Sequence, residues 1–370
     1  MTIRRRPGEI RDAIIGYLAQ RRKTASVTEI YEAVQRAFGD HISPSSVRSY
    51  LRLNSDDLFV RERRGHYSLF ASRPRQELQE WEPVFTYGRA SLYQGDCLAW
   101  LKARAEQSIH AVVTDPPYGL VEYTQKEQEK LRNGHGGVWR IPPSFDGHRR
   151  SPLPRFTTLT PHDVRQLDYF FQEWAAALFP VLVPGAHVLI ASNALLSFIV
   201  AGAVARAGFE RRGEIVRLVM TMRGGDRPKN AHIEFAEVSV MPRSMWEPWL
   251  VFRKPLEGRV QDNLRRWRTG GFRRLSAERP FGDVIRSHPT RSSERRLAAH
   301  PSLKPQSFLR QIVRAVLPLS EGTVLDPFAG SGSTLAAAQA VGYEAVGVEI
   351  DPHYVEMAKT AIPALAQLRM

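Results

Sequence analysis

Apolar residues recur with different spacings along this chain, and each change of spacing marks a boundary. Near the start, Ile10, Ile14, Ile15 and Leu18 form one helical stripe, and Ile30, Tyr31, Val34 and Phe38 form a second. Ser26-Val27-Thr28-Glu29 has the form of a capping box opening that second helix. Ser43-Pro44 announces a third helix through Val47, Tyr50 and Leu51, because proline is favoured at the first helical position. From Phe59 to Phe70 the pattern alternates, which predicts a two-stranded wing turning near Arg64-Gly65. Residues 1–75 therefore read as a winged-helix module, either DNA-binding or serving assembly. A polar stretch bounded by Pro74 and Pro83 follows, with the linker placed at 76–84.

Past the linker, short apolar runs take turns with helical patterns. Ser91-Leu92-Tyr93 is a strand ending at Gly95-Asp96, and a helix runs from Cys97 to Ala105. Ala111-Val112-Val113-Thr114 and Ala186 to Ile190 are short enough and apolar enough to be strands buried on both faces. Helices are predicted over Phe170 to Leu182 and Leu195 to Ala207, with further strands near Ile215 to Met220, Glu237 to Met241 and Trp249 to Phe252. Such alternation predicts an α/β fold with a doubly wound sheet. Two segments lack it. Residues 120–160 carry Gly134, Gly136, Gly137 and several prolines and are expected to be a long mobile loop. Residues 256–299 are rich in arginine, with Trp267 and Phe272 interleaved, a mixture suited to phosphate contact and base stacking.

Composition narrows the field of partners. A chain of 370 residues with 43% hydrophobic content supports more than one domain and a sizeable core. Its formal charge of +14 implies a polyanionic partner, nucleic acid above all. A single cysteine, Cys97, excludes an internal disulfide and a multi-cysteine zinc site, and no metal site is expected. Cys97 falls on the apolar side of its helix and reads as core. With no apolar stretch of about 18 residues and no signal-like start, the expected location is the cytoplasm, with no membrane contact.

Two strings carry the chemistry. Asp115-Pro116-Pro117-Tyr118 directly follows the Ala111 strand, so it sits where open α/β sheets bind ligands. Asp326-Pro327-Phe328-Ala329-Gly330-Ser331-Gly332-Ser333-Thr334 lies between the strand Thr323-Val324-Leu325 and a helix through Leu335 to Ala340. That strand, glycine turn and helix is a place for a nucleoside-type cofactor, and without a P-loop lysine it is not an ATP site. Nineteen residues after Gly330, Glu349 ends another strand, where a carboxylate accepts ribose hydroxyls.

In this order the strings resemble the β subgroup of DNA amino-methyltransferases, over roughly residues 85–365. The resemblance implies a Rossmann-like methyltransferase sheet with circularly permuted motifs, S-adenosylmethionine as cofactor, and double-stranded DNA as substrate. Asp115, Pro116, Pro117 and Tyr118 are then catalytic. The Asp115 carboxylate and Pro116 carbonyl would accept both hydrogens of the target amine, and Tyr118 would offer a face to the flipped base. Cofactor contacts fall on Asp96, Lys304, Asp326, Phe328, Gly330, Gly332, Thr334 and Glu349. His300-Pro301-Ser302-Leu303-Lys304-Pro305 resembles the subgroup's H-P-T-x-K-P string with serine for threonine, which makes Lys304 and Thr334 candidates for the methionine carboxylate. The catalytic domain divides into 85–255 and 300–370, with target recognition assigned to 256–299. DNA contacts are expected at Arg48 and Arg52 of the third helix and at Arg265, Arg266, Trp267 and Arg268. Asp in the first position of the tetrapeptide favours adenine N6 over cytosine N4. A winged-helix regulator with an inactive methyltransferase fold is the alternative of another class. A homodimer and a cognate restriction endonuclease are the further partners the subgroup suggests.

Overall fold

The computed structural model describes residues 9–21, 24–39, 42–53, 59–63, 65–69, 81–117, 161–219, 225, 227–228, 230–300 and 302–369. The chain divides into two compact units, 1–80 and 81–370.

The first unit contains α1 (Glu9–Arg21), β1 (Ala25–Ser26), α2 (Val27–Phe38), α3 (Pro44–Leu53), β2 (Phe59–Arg63) and β3 (His66–Leu69), with strand order β1-β3-β2, all antiparallel. Ser26 caps α2 reciprocally with Glu29, as the sequence predicts. The hydrogen bonds from the Ser26 backbone and side chain, then from Arg21, hold the Glu29 carboxyl down at about 2. The Ser43 hydroxyl accepts the Ser46 N–H at the head of α3. Ile14, Leu18, Ile30, Val34, Val47, Leu51 and Phe59 interlock, so this unit has a core of its own.

In the second unit a nine-stranded sheet runs β10-β8-β9-β7-β6-β11-β12-β5-β4. Its strands are β4 (Phe85–Tyr87), β5 (Ala90–Gln94), β6 (Ile109–Thr114), β7 (Leu182–Ala191), β8 (Glu210–Leu218), β9 (Trp246–Arg253), β10 (Val284–Arg286), β11 (Thr323–Asp326) and β12 (Glu344–Glu349). All run parallel except β9, which is antiparallel to β7 and β8, and the edge strand β4. The helices are α4 (Cys97–Lys102), α5 (Pro161–Val181), α6 (Ser197–Arg206), α7 (Val260–Trp267), α8 (Ser292–Leu297), α9 (Gln306–Val316), α10 (Ser333–Ala340) and α11 (Pro352–Ala366). Strand side chains alternate between the two faces. Val112, Val188 and Ile190 pack with Trp100, Phe171, Trp174 and Val204 on one side. Ala111, Val113 and Leu189 pack with Phe308, Ile312, Leu335 and Ile362 on the other. Both faces are covered, which is why these strands are apolar at nearly every position.

Several expectations shift. The helix expected from Phe170 begins at Pro161, and the one from Cys97 stops at Lys102. Residues 237–241 are turns and bends rather than a strand, and Val238 and Val240 are exposed there. The irregular region 256–299 contains α7, β10 and α8. The linker core, the 120–160 loop, Tyr118, Arg64 and the Arg52 side chain lie outside the described residues.

Candidate active site

Strands β6 and β11 are neighbours, but the chain leaves them in opposite directions across the sheet, β6 toward β7 and β11 toward β12. A crevice opens at such a switch point beyond the carboxyl ends of the strands, and both motifs begin there. Asp115 and Asp326 line one cleft with Trp249, His300, Ser302, Lys304, Phe328, Gly330, Ser331 and Thr334.

The glycine turn is held by backbone geometry. Gly332 has φ +78°, and a Cβ there would collide with Ile362 Cγ1, so only glycine lets α10 start against α11. Gly330 has φ +51°, and a Cβ would press on the His300 ring at 3.0 Å. The Phe328 ring is clamped by Trp174 and Phe170, with centroids 6.0 and 6.1 Å away.

Asp326 is 3% exposed. Its Oδ1 accepts from Thr114 Oγ1 at 2.7 Å and from the Phe328 N–H at 3.2 Å, and Thr334 adds a side-chain hydrogen bond. Burial nevertheless dominates these donors and pushes the carboxyl up to about 6. Among the described residues no cation pairs with it. Ser331 Oγ, also buried in the cleft, has no hydrogen-bond partner among the described residues. An unneutralised carboxylate, an orphan hydroxyl and a glycine cradle suit a cofactor with an ammonium group and polar edges. Glu349, at the end of β12, receives the Gly330 N–H at 2.7 Å and the Asp351 N–H at 2.9 Å; burial raises its pKa against these donors. Asp351 caps α11 by accepting the His353 N–H, which leaves Glu349 as the carboxylate of the pair that faces the turn.

On the other side of the cleft, Asp115 Oδ2 accepts from Ser302 Oγ at 2.7 Å and Lys304 Nζ at 2.5 Å. Lys304 also stands 3.5 Å from Glu247 Oε1. The lysine assigned by resemblance to the cofactor's carboxylate is thus placed against Asp115. Pro116 is buried and Pro117 exposed. Asp96 sits outside this cluster, its carboxylate capping α4 through the Ala99 N–H at 2.8 Å. Burial, then the nearby Asp96, pushes the Cys97 thiol up to about 12, consistent with a packing role.

The structure does not bring Arg265, Arg266, Trp267 and Arg268 to this cleft. Because β9 runs antiparallel, the chain leaves it at the edge of the sheet where β7 begins, opposite Asp115. There Asn263 of α7 bonds the Pro184 carbonyl, and the three arginines pair with Asp262, Glu257 and Glu321. The sequence shows their charge but not their partners. The arginines that emerge on the edge of the sheet where Asp115 lies are Arg286 of β10, Arg291 at the N-cap of α8, and Arg295 and Arg296 of α8. All four are exposed and make no ion pair among the described residues. Sequence reasoning also missed Glu247 and Arg217, whose one signal is a charged residue within each apolar strand pattern.

A family model of DNA methylases, the N6 and N4 type, matches residues 109–360, from the start of β6 into α11. The chain belongs to this family. Among relatives, the type II methyltransferase M.HindIII of Haemophilus influenzae is 24% identical over 282 residues, covering 70% of this chain and 90% of its own. The type II methyltransferase M.ScaI of Streptomyces caespitosus is 39% identical over 83 residues, 22% of this chain and 27% of that protein. The PvuII DNA methyltransferase, cytosine-N4-specific, superposes with a TM-score of 0.51 at 16% identity, covering 78% of this chain and 90% of its own, which bears on fold alone. This DNA methylase uses S-adenosylmethionine, and no described helix is long and apolar enough to cross a membrane.

Proposed function

We propose that this methylase modifies adenine N6 in duplex DNA, with the target base turned out of the stack to reach Asp115. The amine chemistry of this reading is carried by the placement of Asp115, a neighbour of Asp326 across the β6–β11 switch point and in the same cleft, and the choice of adenine by aspartate in the first position of the tetrapeptide. When bound, S-adenosylmethionine supplies an electrophilic methyl group. Asp326 would hold its ammonium, Glu349 its ribose hydroxyls, and the turn from Phe328 to Gly332 its backbone-facing edge. Asp115 and the Pro116 carbonyl would accept the two amine hydrogens, which localises a nitrogen lone pair otherwise delocalised into the ring. With its lone pair so localised the amine would be the nucleophile toward that methyl group, and the proton it gives up would pass by way of the Asp115 carboxylate to solvent. Positioning and electrostatics carry the rate. Tyr118 would stack on the flipped base. The N-terminal unit is read as a winged helix presenting Arg48 to the phosphate backbone, and the exposed arginines of β10 and α8 as the catalytic domain's own phosphate contacts.

Nucleoside mass spectrometry of DNA from cells expressing the protein tests the base directly. N6-methyladenine that disappears in Asp115→Ala is the expected result. N4-methylcytosine would overturn the choice of base while leaving the amine mechanism standing. Loss of methylation in Asp115→Ala should come without loss of cofactor affinity in calorimetry, since the carboxylate acts on the amine in the transition state.

A further inference from the structure

Charges alternate in a row that starts at the catalytic carboxylate: Asp115, Lys304, Glu247, Arg217. Lys304 is 12% exposed, Glu247 15% and Arg217 5%. Glu247 Oε2 accepts from Arg217 Nη1 at 2.7 Å, and Glu247 Oε1 accepts from Trp249 Nε1 at 3.1 Å. Arg217 and Glu247 face each other in the β8–β9 register. Arg217 is fixed in turn by Ser287 Oγ, by the His288 carbonyl and by the Phe308 ring, 5.2 Å from its guanidinium carbon. Burial pulls the Lys304 pKa down, but Asp115 and then Glu247 more than offset it, so the ammonium stays charged.

This row poses a problem for the reaction. Lys304 donates to the same carboxylate that must accept the target amine, and an ammonium so deeply placed cannot simply lose its partner, because an unpaired buried charge is costly. A second carboxylate stands 3.5 Å away, close enough to attract the ammonium and too far for a full charge-assisted hydrogen bond. Arg217 occupies the other oxygen of Glu247 and moderates its pull.

We propose that Glu247, oriented by Arg217, is a positioning residue of methyl transfer that takes over Lys304 as the target amine takes its place on Asp115. This rests on the reading of Asp115 as the amine's acceptor. In the resting site Lys304 and Ser302 hold the carboxylate in place; in the productive complex Lys304 swings toward Glu247 and no buried charge is stranded.

The test is a double-mutant cycle in the full chain with Glu247→Gln, Lys304→Met and both together, alongside Asp115→Ala. Single-turnover rates at saturating cofactor and duplex, cofactor affinity by calorimetry, and melting temperatures are read for each. Glu247→Gln should slow transfer by about tenfold, the scale of one charged hydrogen bond, with cofactor affinity and duplex KM unchanged. In the Lys304→Met background the same change should cost nothing more, because Glu247 then has nothing to receive. A wild-type rate in Glu247→Gln, or an equal loss in both backgrounds, overturns the proposal. Should Lys304→Met turn over too slowly to measure, the Glu247→Gln split decides: a loss confined to KM or to cofactor affinity overturns it, and a loss in kcat alone upholds it. Turnover by Asp115→Ala would instead overturn the reading of Asp115 itself, whatever Glu247 does.

Discussion

At the scale of single residues, Asp326 shows most plainly how a buried carboxylate works against stability. Its carboxyl titrates near 6 in the folded protein, above the ordinary value near 3.8, because burial outweighs three hydrogen bonds. A raised folded-state value means the folded form holds its proton longer than the unfolded chain. Stability from this group is therefore full below about pH 4, falls as pH rises through 6, and stays low above it. Asp326→Asn keeps a carbonyl oxygen for Thr114 and the Phe328 N–H and abolishes that loss. The substitution should raise stability to urea at pH 8 by up to about 3 kcal/mol, change little at pH 4, and weaken cofactor binding. Equal urea midpoints for the two proteins at pH 8 would show that the ionised carboxylate carries no penalty. The residue itself was legible in the sequence, since it ends an apolar strand at a glycine turn. Lys304 was legible only as a member of a motif; that it meets Asp115, 189 positions earlier, follows from strand order and not from local pattern.

At the scale of elements, the α/β alternation predicted the central strands well, because strands buried on both faces must be apolar throughout. What alternation could not supply was direction. The antiparallel course of β9 sends α7 to the far edge of the sheet, and that single reversal separates two groups of arginines that look alike in sequence. One group is neutralised by neighbouring carboxylates, and the other stands exposed on the Asp115 edge of the sheet with no ion pair among the described residues. The two should differ in their effect on duplex binding. Replacing Arg265, Arg266 and Arg268 together by alanine should leave the salt dependence of duplex affinity unchanged. Replacing Arg286, Arg291, Arg295 and Arg296 should flatten it, by about 0.9 in the logarithmic slope for each phosphate that is no longer neutralised. Fluorescence anisotropy across a salt series reads both, and equal flattening by the two sets would place DNA on both edges of the sheet. The segment 237–241 misled for the opposite reason. Its apolar residues suggest a strand, yet they lie exposed in turns and bends, so hydrophobic pattern here records something other than core packing.

At the scale of the whole molecule, two units with separate cores share one chain of net charge +14. Neither the Asp115 string nor the Asp326 turn belongs to the first unit, and the catalytic sheet takes no strand from it. A protein beginning near residue 81 should accordingly bind S-adenosylmethionine with unchanged affinity. Its hold on duplex DNA should weaken, and its salt slope should fall, if α3 sets Arg48 against phosphate as in a helix-turn-helix. Arg48 is exposed on that helix while Val47 and Leu51 are buried, so the helix has one face committed to the core and another open. The competing use of that open face is assembly, and the same truncation separates the two. Light scattering that reports a larger fall in mass per particle than truncation alone removes, with the salt slope intact, would assign the unit to contacts between copies. A fallen slope with only the truncated mass removed would assign it to DNA, and Arg48→Ala in the full chain should then reproduce part of that fall.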